Sequence, residues 1–220
     1  AIAEIIWHHI LENPKQKILL TSETNLAVDN AMDRIKTDSN NIVKPIRFGN
    51  EDRLASEGLF YSYETVVSFG SDLSFKEPNI VEHWIENVAK RVGNDENTNL
   101  NNALNDWRSY LNGKDKEVRF IFTQQYLENV NLIGATGSSM GKLNSEGRYT
   151  SFFHSYLKVF NKGDYFPKID YKKCNGIDIV FDTIIMDEAS KATPPELALP
   201  IIYGKKAIIV GDHRQLPPMV

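Results

Sequence analysis

The chain predicts an α/β protein built on a parallel sheet, and three observations carry that expectation. Apolar runs of strand length alternate with segments of helical periodicity. The run Ile184-Ile185-Met186 has no polar face, as a strand buried on both sides requires. The runs also end in small or acidic residues: Thr21-Ser22, Ala135-Thr136-Gly137, Asp187-Glu188 and Gly211-Asp212. Open α/β sheets place their ligands at such carboxyl ends.

Length and composition set the bounds. At 220 residues the chain fits one large domain or one domain with an insertion. A hydrophobic content of 41% is enough for a substantial core, and 25% charged residues is ordinary. The net charge of −4 argues against a uniformly basic nucleic-acid binder but leaves room for a local basic groove. Cys174 is the single cysteine, which excludes an internal disulfide and a multi-cysteine zinc site and makes a reducing cytoplasm the default. No apolar run approaches the roughly 20 residues needed to span a bilayer, so no membrane role is expected. The start, Ala1-Ile2-Ala3-Glu4, lacks the basic region of a secretory signal.

Ile2, Ile5, Ile6 and Ile10 recur at helical spacing and Pro14 follows them, giving a first helix with a stop. Lys17 to Ser22 reads as a strand. Glu23-Thr24-Asn25 then turns into a second helix with Leu26, Ala27, Val28, Ala31, Met32 and Ile35 on its apolar positions. Thr24 or Asn25 suits a helix cap; Ser22, Thr24 and Asn25 also suit contact with a phosphate at the helix N-terminus. Ile42 to about Arg47 is a second strand.

Residues 51–128 change character. Asn79 and Glu82 open a helix carrying Val81, Trp84, Ile85, Val88 and Val92, closed by Gly93. Leu100, Ala103, Leu104, Trp107 and Leu111 form a second stripe closed by Gly113, so the pair reads as an antiparallel helical hairpin. Trp84 and Trp107 sit on the apolar stripes, which favours core packing over stacking on bases.

A third strand is expected at 130–135. Thr136, Ser138 and Ser139 after it have hydroxyls suited to phosphate oxygens. A Gly-rich anion nest and a plain surface turn are alternatives there, although no lysine stands in the register a nest would need. Between 141 and 178, Tyr149, Phe152, Phe153, Tyr156, Leu157 and Phe160 form a packed helical face. Lys158, Lys162, Lys168, Lys172 and Lys173 make that stretch the most basic of the chain. A buried strand at 179–186 leads into Asp187 and Glu188. Thr193-Pro194-Pro195-Glu196 has the form of a capping box with proline at the first helical position. A second buried strand at 206–211 closes the series.

Adjacent carboxylates at a strand end can divide labour. One holds Mg²⁺ through water and the other orients an attacking water, the Walker B arrangement of nucleotide hydrolases. The same acids also suit a helix start, where the dipole favours negative charge.

Asp187-Glu188-Ala189-Ser190, followed by Gly211-Asp212-His213-Arg214-Gln215, resembles motifs II and III of superfamily 1 helicases. The resemblance is to the 5′-to-3′, Upf1-like branch, which includes the nonsense-mediated-decay RNA helicase and the Okazaki-fragment helicase–nuclease. It implies a RecA-like P-loop NTPase core with helical insertions, the core lying at 1–50 and 129–220 and an accessory insertion at 51–128. It implies ATP and Mg²⁺ as cofactors and single-stranded DNA or RNA as the track. Asp187 is then the Mg²⁺ ligand, Glu188 activates water, and Gln215 senses the γ-phosphate, with Gly211 and Asp212 beside the nucleotide. Ser22, Thr24 and Asn25 fall in motif Ia and Thr136 and Ser138 in the next backbone-contacting motif. Glu23 stands where the family usually has proline, and Arg47-Phe48-Gly49 matches a short family segment. No Gly-Lys-Thr phosphate loop occurs in the chain. The expectation is therefore a piece of the first motor domain, inactive alone and completed by a second RecA-like domain. The alternative is a non-catalytic nucleic-acid or protein-binding module on the same scaffold.

Overall fold

The computed structural model describes residues 1–35, 42–49, 51–92, 102–103, 105–106, 116–140, 181–212 and 214. Helix α1 (Ile2–Glu12) leads into strand β1 (Ile18–Ser22), helix α2 (Asn25–Asp33) and strand β2 (Pro45–Phe48). Helices α3 (Ser56–Phe60), α4 (Tyr63–Ser71), α5 (Ile80–Val92) and α6 (Lys116–Asn129) follow. The chain then runs through β3 (Leu132–Thr136), the single turn α7 (Gly137–Met140), β4 (Thr183–Met186), α8 (Pro194–Ile201) and β5 (Ala207–Ile209).

All five strands are parallel, in the order β2-β3-β1-β4-β5. The expected strands at 17–22, 42–47, 130–135, 179–186 and 206–211 each overlap one of them. The fold class is α/β, consistent with a RecA-like P-loop core. β1, β2, β3 and β4 are buried along their whole lengths, which is why their apolar runs carry no alternation. The last strand departs from expectation. Read as buried, β5 instead leaves Ile209 55% exposed. It lies at the sheet edge, with β4 on one side and no described strand on the other.

The register brings every strand-end candidate to one rim. Ser22 of β1 lies opposite Thr136 of β3, and Thr21 opposite Met186 of β4. Asp187 follows directly, and its N–H donates to the Thr21 carbonyl at 2.9 Å.

A buried ion pair ties β2 to α2. Arg47 and Asp29 have side chains 0% and 1% exposed, with Nε 2.6 Å from Oδ1. Arg47 Nη2 also donates to Asn25 Oδ1 at 2.8 Å and Nη1 donates to the Phe48 carbonyl. The second Asp29 oxygen accepts from the Ala55 N–H at 3.0 Å. Burial pulls the guanidinium pKa down while the Asp29 charge and hydrogen bond push it back up.

Helices α4, α5 and α6 join the same apolar core as the sheet, through Val66, Phe69, Val81, Ile85, Phe122, Tyr126 and Leu127. Trp84 meets Phe122 and Tyr126 edge-on, at centroid distances of 6.4 and 5.7 Å. It is a packing residue. The Tyr126 hydroxyl donates to the Pro45 carbonyl at 2.7 Å, fastening α6 to β2, and burial drives its phenol pKa well up. Trp107 and the aromatic and lysine-rich stretch 141–178 lie outside the described residues. No helix among the described residues is long and apolar enough to cross a membrane.

Candidate nucleotide and nucleic-acid site

The site grows from the end of β4. The buried run Thr183–Met186 fixes the backbone, and the chain turns sharply where the sequence becomes acidic. Glu188 makes that turn in the left-handed region, at φ 52 and ψ 33. This costs an L-residue with a Cβ about 1–2 kcal/mol, the kind of strain that concentrates at functional sites. The Glu188 N–H donates back to Asp187 Oδ1 at 2.8 Å, so one oxygen of Asp187 is used locally. A 3₁₀ turn, Ala189–Lys191, follows, and its N–H at Ala189 donates to the Val210 carbonyl of the chain leaving β5. There the backbones nearly touch: a Cβ on Gly211 would lie 3.0 Å from the Ser190 nitrogen. That close approach explains the glycine that ends the β5 segment. Asp212 shapes the next turn, its Oδ1 accepting from the Arg214 N–H at 2.9 Å. Gln215 lies outside the described residues.

A small cavity of about 30 Å³ opens beside Asp187. Thr21, Ser22, Glu23, Ser138, Asp187 and Glu196 are among the residues lining it. The carboxyl ends of β1, β3 and β4 therefore share one space. Ser22 is 5% exposed, and its buried Oγ has no hydrogen-bond partner among the described residues. Such an orphan is costly unless something else satisfies it. Glu196 caps α8: its Oε2 accepts from both the N–H and the hydroxyl of Thr193, each at 2.8 Å. The two hydrogen bonds lower its pKa. The expected capping box is present.

The remaining candidates are placed less openly. Thr24 caps α2, its Oγ1 accepting from the Ala27 N–H at 3.3 Å, while its side chain stays on the exposed surface. The Asn25 carbonyl oxygen is taken by Arg47, so this residue anchors the loop from within. Thr136 is buried, and its hydroxyl lies 3.2 Å from those of Ser138 and Ser139. Ser138 is exposed, at the amino end of the single turn α7.

Sequence reasoning overlooked two partners here. Lys191 lies 3.0 Å from Glu188 Oε1, three residues along a 3₁₀ turn, a spacing that could have been read from the sequence. Arg47 and Asp29 stand 18 residues apart, and nothing local announces their pairing.

The fit of a magnesium ion is testable on the donor set. Asp187 offers a hard carboxylate oxygen among the residues lining the cavity, and no group of three or more acidic, histidine or cysteine ligands occurs among the described residues. Mg²⁺ takes one or two carboxylates and completes its shell with water and phosphate oxygens, so this donor set suits it.

Comparison with known proteins agrees with this geometry. Residues 168–220, the span holding Asp187, Glu188, Gly211, Asp212 and Gln215, match the family described as AAA domain. DNA polymerase alpha-associated DNA helicase A of Saccharomyces cerevisiae is 26% identical over 231 aligned positions, covering 100% of this chain and 28% of the relative. The DNA replication ATP-dependent helicase/nuclease DNA2 of the same yeast is 38% identical over 79 residues, 30% of this chain and 5% of the relative. An ATP-dependent helicase of Methanocaldococcus jannaschii is 52% identical over 40 residues, 18% of this chain and 6% of the relative. The chain thus spans less than a third of the length of these relatives. It combines a parallel α/β sheet ending in Asp187 and Glu188 with a match to the AAA domain family over residues 168–220 and similarity to ATP-dependent helicases.

Proposed function

We propose that the chain is part of an ATP-driven helicase or translocase that moves on single-stranded DNA or RNA. The observation that carries this reading is the shared rim: one cavity is lined by both Asp187 and the hydroxyl residues Ser22 and Ser138. A nucleotide hydrolase that moves on a strand needs its phosphate chemistry and its backbone grip to be mechanically joined. The Asp187 N–H to Thr21 carbonyl bond, one residue before Ser22, supports such a link.

In the proposed reaction a water oxygen bonds the γ-phosphorus while the bond from that phosphorus to the bridging oxygen breaks, leaving ADP and phosphate. Glu188 orients the water and receives its proton. Asp187 holds Mg²⁺, which when bound neutralises charge on the phosphate oxygens. Gly211, Asp212 and Gln215 lie beside the γ-phosphate and report its presence to the rim. Ser22, Thr24 and Ser138 face the nucleic-acid backbone, Ser22 and Ser138 lining the cavity, and the buried Thr136 supports them through the hydroxyls of Ser138 and Ser139. Asn25 supports the same loop through Arg47.

In this reading residues 1–50 and 129–220 are the motor core and residues 51–128 an accessory unit. A second RecA-like domain of the same protein supplies the rest of the ATP site, and the protein works in the cytoplasm.

The test is ATP turnover by the full-length protein, with and without single-stranded DNA or RNA, beside Glu188→Gln. Stimulation by a strand, lost in the variant while ATP binding is kept, is the expected result. Undiminished hydrolysis by Glu188→Gln refutes the assignment of the base. Absence of hydrolysis by the unaltered protein under every condition favours the binding-module alternative.

A further inference from the structure

The candidate base, Glu188, does not stand alone. Its Oε1 is 3.0 Å from the Lys191 ammonium, and both side chains are partly shielded, 31% and 42% exposed. Among the described residues its Oε2 has no hydrogen-bond partner. We propose that Lys191 is a positioning residue for hydrolysis: its ammonium holds one carboxylate oxygen of Glu188 and thereby aims the other at the attacking water. The proposal rests on the reading of Glu188 as the residue that orients water.

Three features of the turn support it. The left-handed backbone at Glu188 swings the residue out of the strand direction, so the side chain needs a tether to keep one orientation. The 3₁₀ turn supplies that tether from the same segment: the Lys191 N–H donates to the Glu188 carbonyl at 2.9 Å, bringing residues three apart onto one face. The turn is itself braced by the Ala189 N–H to Val210 carbonyl bond and by the close backbone approach of Gly211. Lys191 is therefore fixed to the same structure that carries the motif III residues. A glutamate has three side-chain torsions, and a water held on an untethered carboxylate wanders. Misplacement of a reacting group by about 1 Å can cost on the order of a hundredfold in rate. A partly exposed ion pair restrains more weakly than a buried one.

Lys191 is not placed to bind nucleotide in this reading, so its effect belongs in kcat. The experiment is steady-state ATP hydrolysis by the full-length protein carrying Lys191→Met, Lys191→Arg, Glu188→Gln and the double Glu188→Gln/Lys191→Met. The expected result is a roughly tenfold fall in kcat for Lys191→Met with KM for ATP unchanged, and recovery to within about threefold in Lys191→Arg. In the Glu188→Gln background the lysine change has no further effect. A rise in KM at constant kcat would instead make Lys191 a phosphate contact and overturn the proposal. So would additive losses in the double variant, or a Lys191→Arg protein as slow as Lys191→Met. Retained turnover in Glu188→Gln alone is the separate outcome that removes the reading of the base itself.

Discussion

Arg47 offers the sharpest test of the packing argument. The ion pair with Asp29 is buried to within 1% on both sides, and it satisfies three elements at once: α2 through Asn25, β2 through Phe48 and the start of α3 through Ala55. Arg47→Met keeps most of the volume but leaves the Asp29 carboxylate, among the described residues, with only the Ala55 N–H. Breaking a buried pair by removing one partner costs about 3–5 kcal/mol, because the surviving charge is stranded. With a urea m value of about 3 kcal/mol/M, the midpoint falls by about 1–1.7 M. The companion Asp29→Leu/Arg47→Met removes both charges and recovers most of the loss, since an apolar replacement of a buried pair is often nearly neutral. Equilibrium urea unfolding followed by circular dichroism reads both. A single variant within about 1 kcal/mol of wild type, or a double variant worse than the single, refutes the view that a stranded charge dominates.

Other outcomes follow from the same structure. Glu188→Asn, which tolerates the left-handed turn better than glutamate, is expected to melt no lower than wild type by calorimetry while losing turnover. Gly134→Ala places a Cβ 2.3 Å from Met32 Sδ and is expected to destabilise the fold by about 1–3 kcal/mol, measured in urea. Burial, with the nearby Lys44 charge, lowers the Lys17 pKa to about 8 against the opposing pull of Asp182. Below that pH the ammonium is carried at a penalty in the folded state. Between about 8 and the unfolded value near 10.4 the unfolded chain binds more protons, so the stability of wild type relative to Lys17→Met should rise with pH. A difference that falls or stays flat over that window contradicts the assignment. Finally, the 220-residue chain contains no Gly-Lys-Thr phosphate loop and is expected to hydrolyse no ATP by itself; steady turnover by the purified chain would refute this.

The strands were legible because Ile18–Leu20, Leu132–Ile133 and Ile184–Met186 are apolar without interruption, which a doubly covered parallel sheet demands and little else produces. The place of Asp187 and Glu188 at a strand end was legible because the acids follow such a run directly. The burial of β5 was misjudged, since Ala207–Ile209 looks the same in sequence whether the strand is central or at an edge; only the neighbour on each side decides. Asn25 has the composition of a phosphate contact, and its side-chain oxygen also accepts from Arg47, a partner 22 residues away that no local pattern reveals. Thr24 could cap or contact, and the cap is visible in its bond from Ala27. Long-range polar pairing was thus the hidden part.

The uniform strand direction has a practical side. Every loop of the candidate site leaves the sheet at one rim, so the opposite rim, where β1 and β5 begin, lies away from it. Lys15 and Lys206 are exposed there, just ahead of those two strands. Fluorophores or surface tethers attached at these two positions would report on or immobilise the chain from behind, leaving the rim of the candidate site open. A single-molecule handle can therefore be chosen from the topology alone.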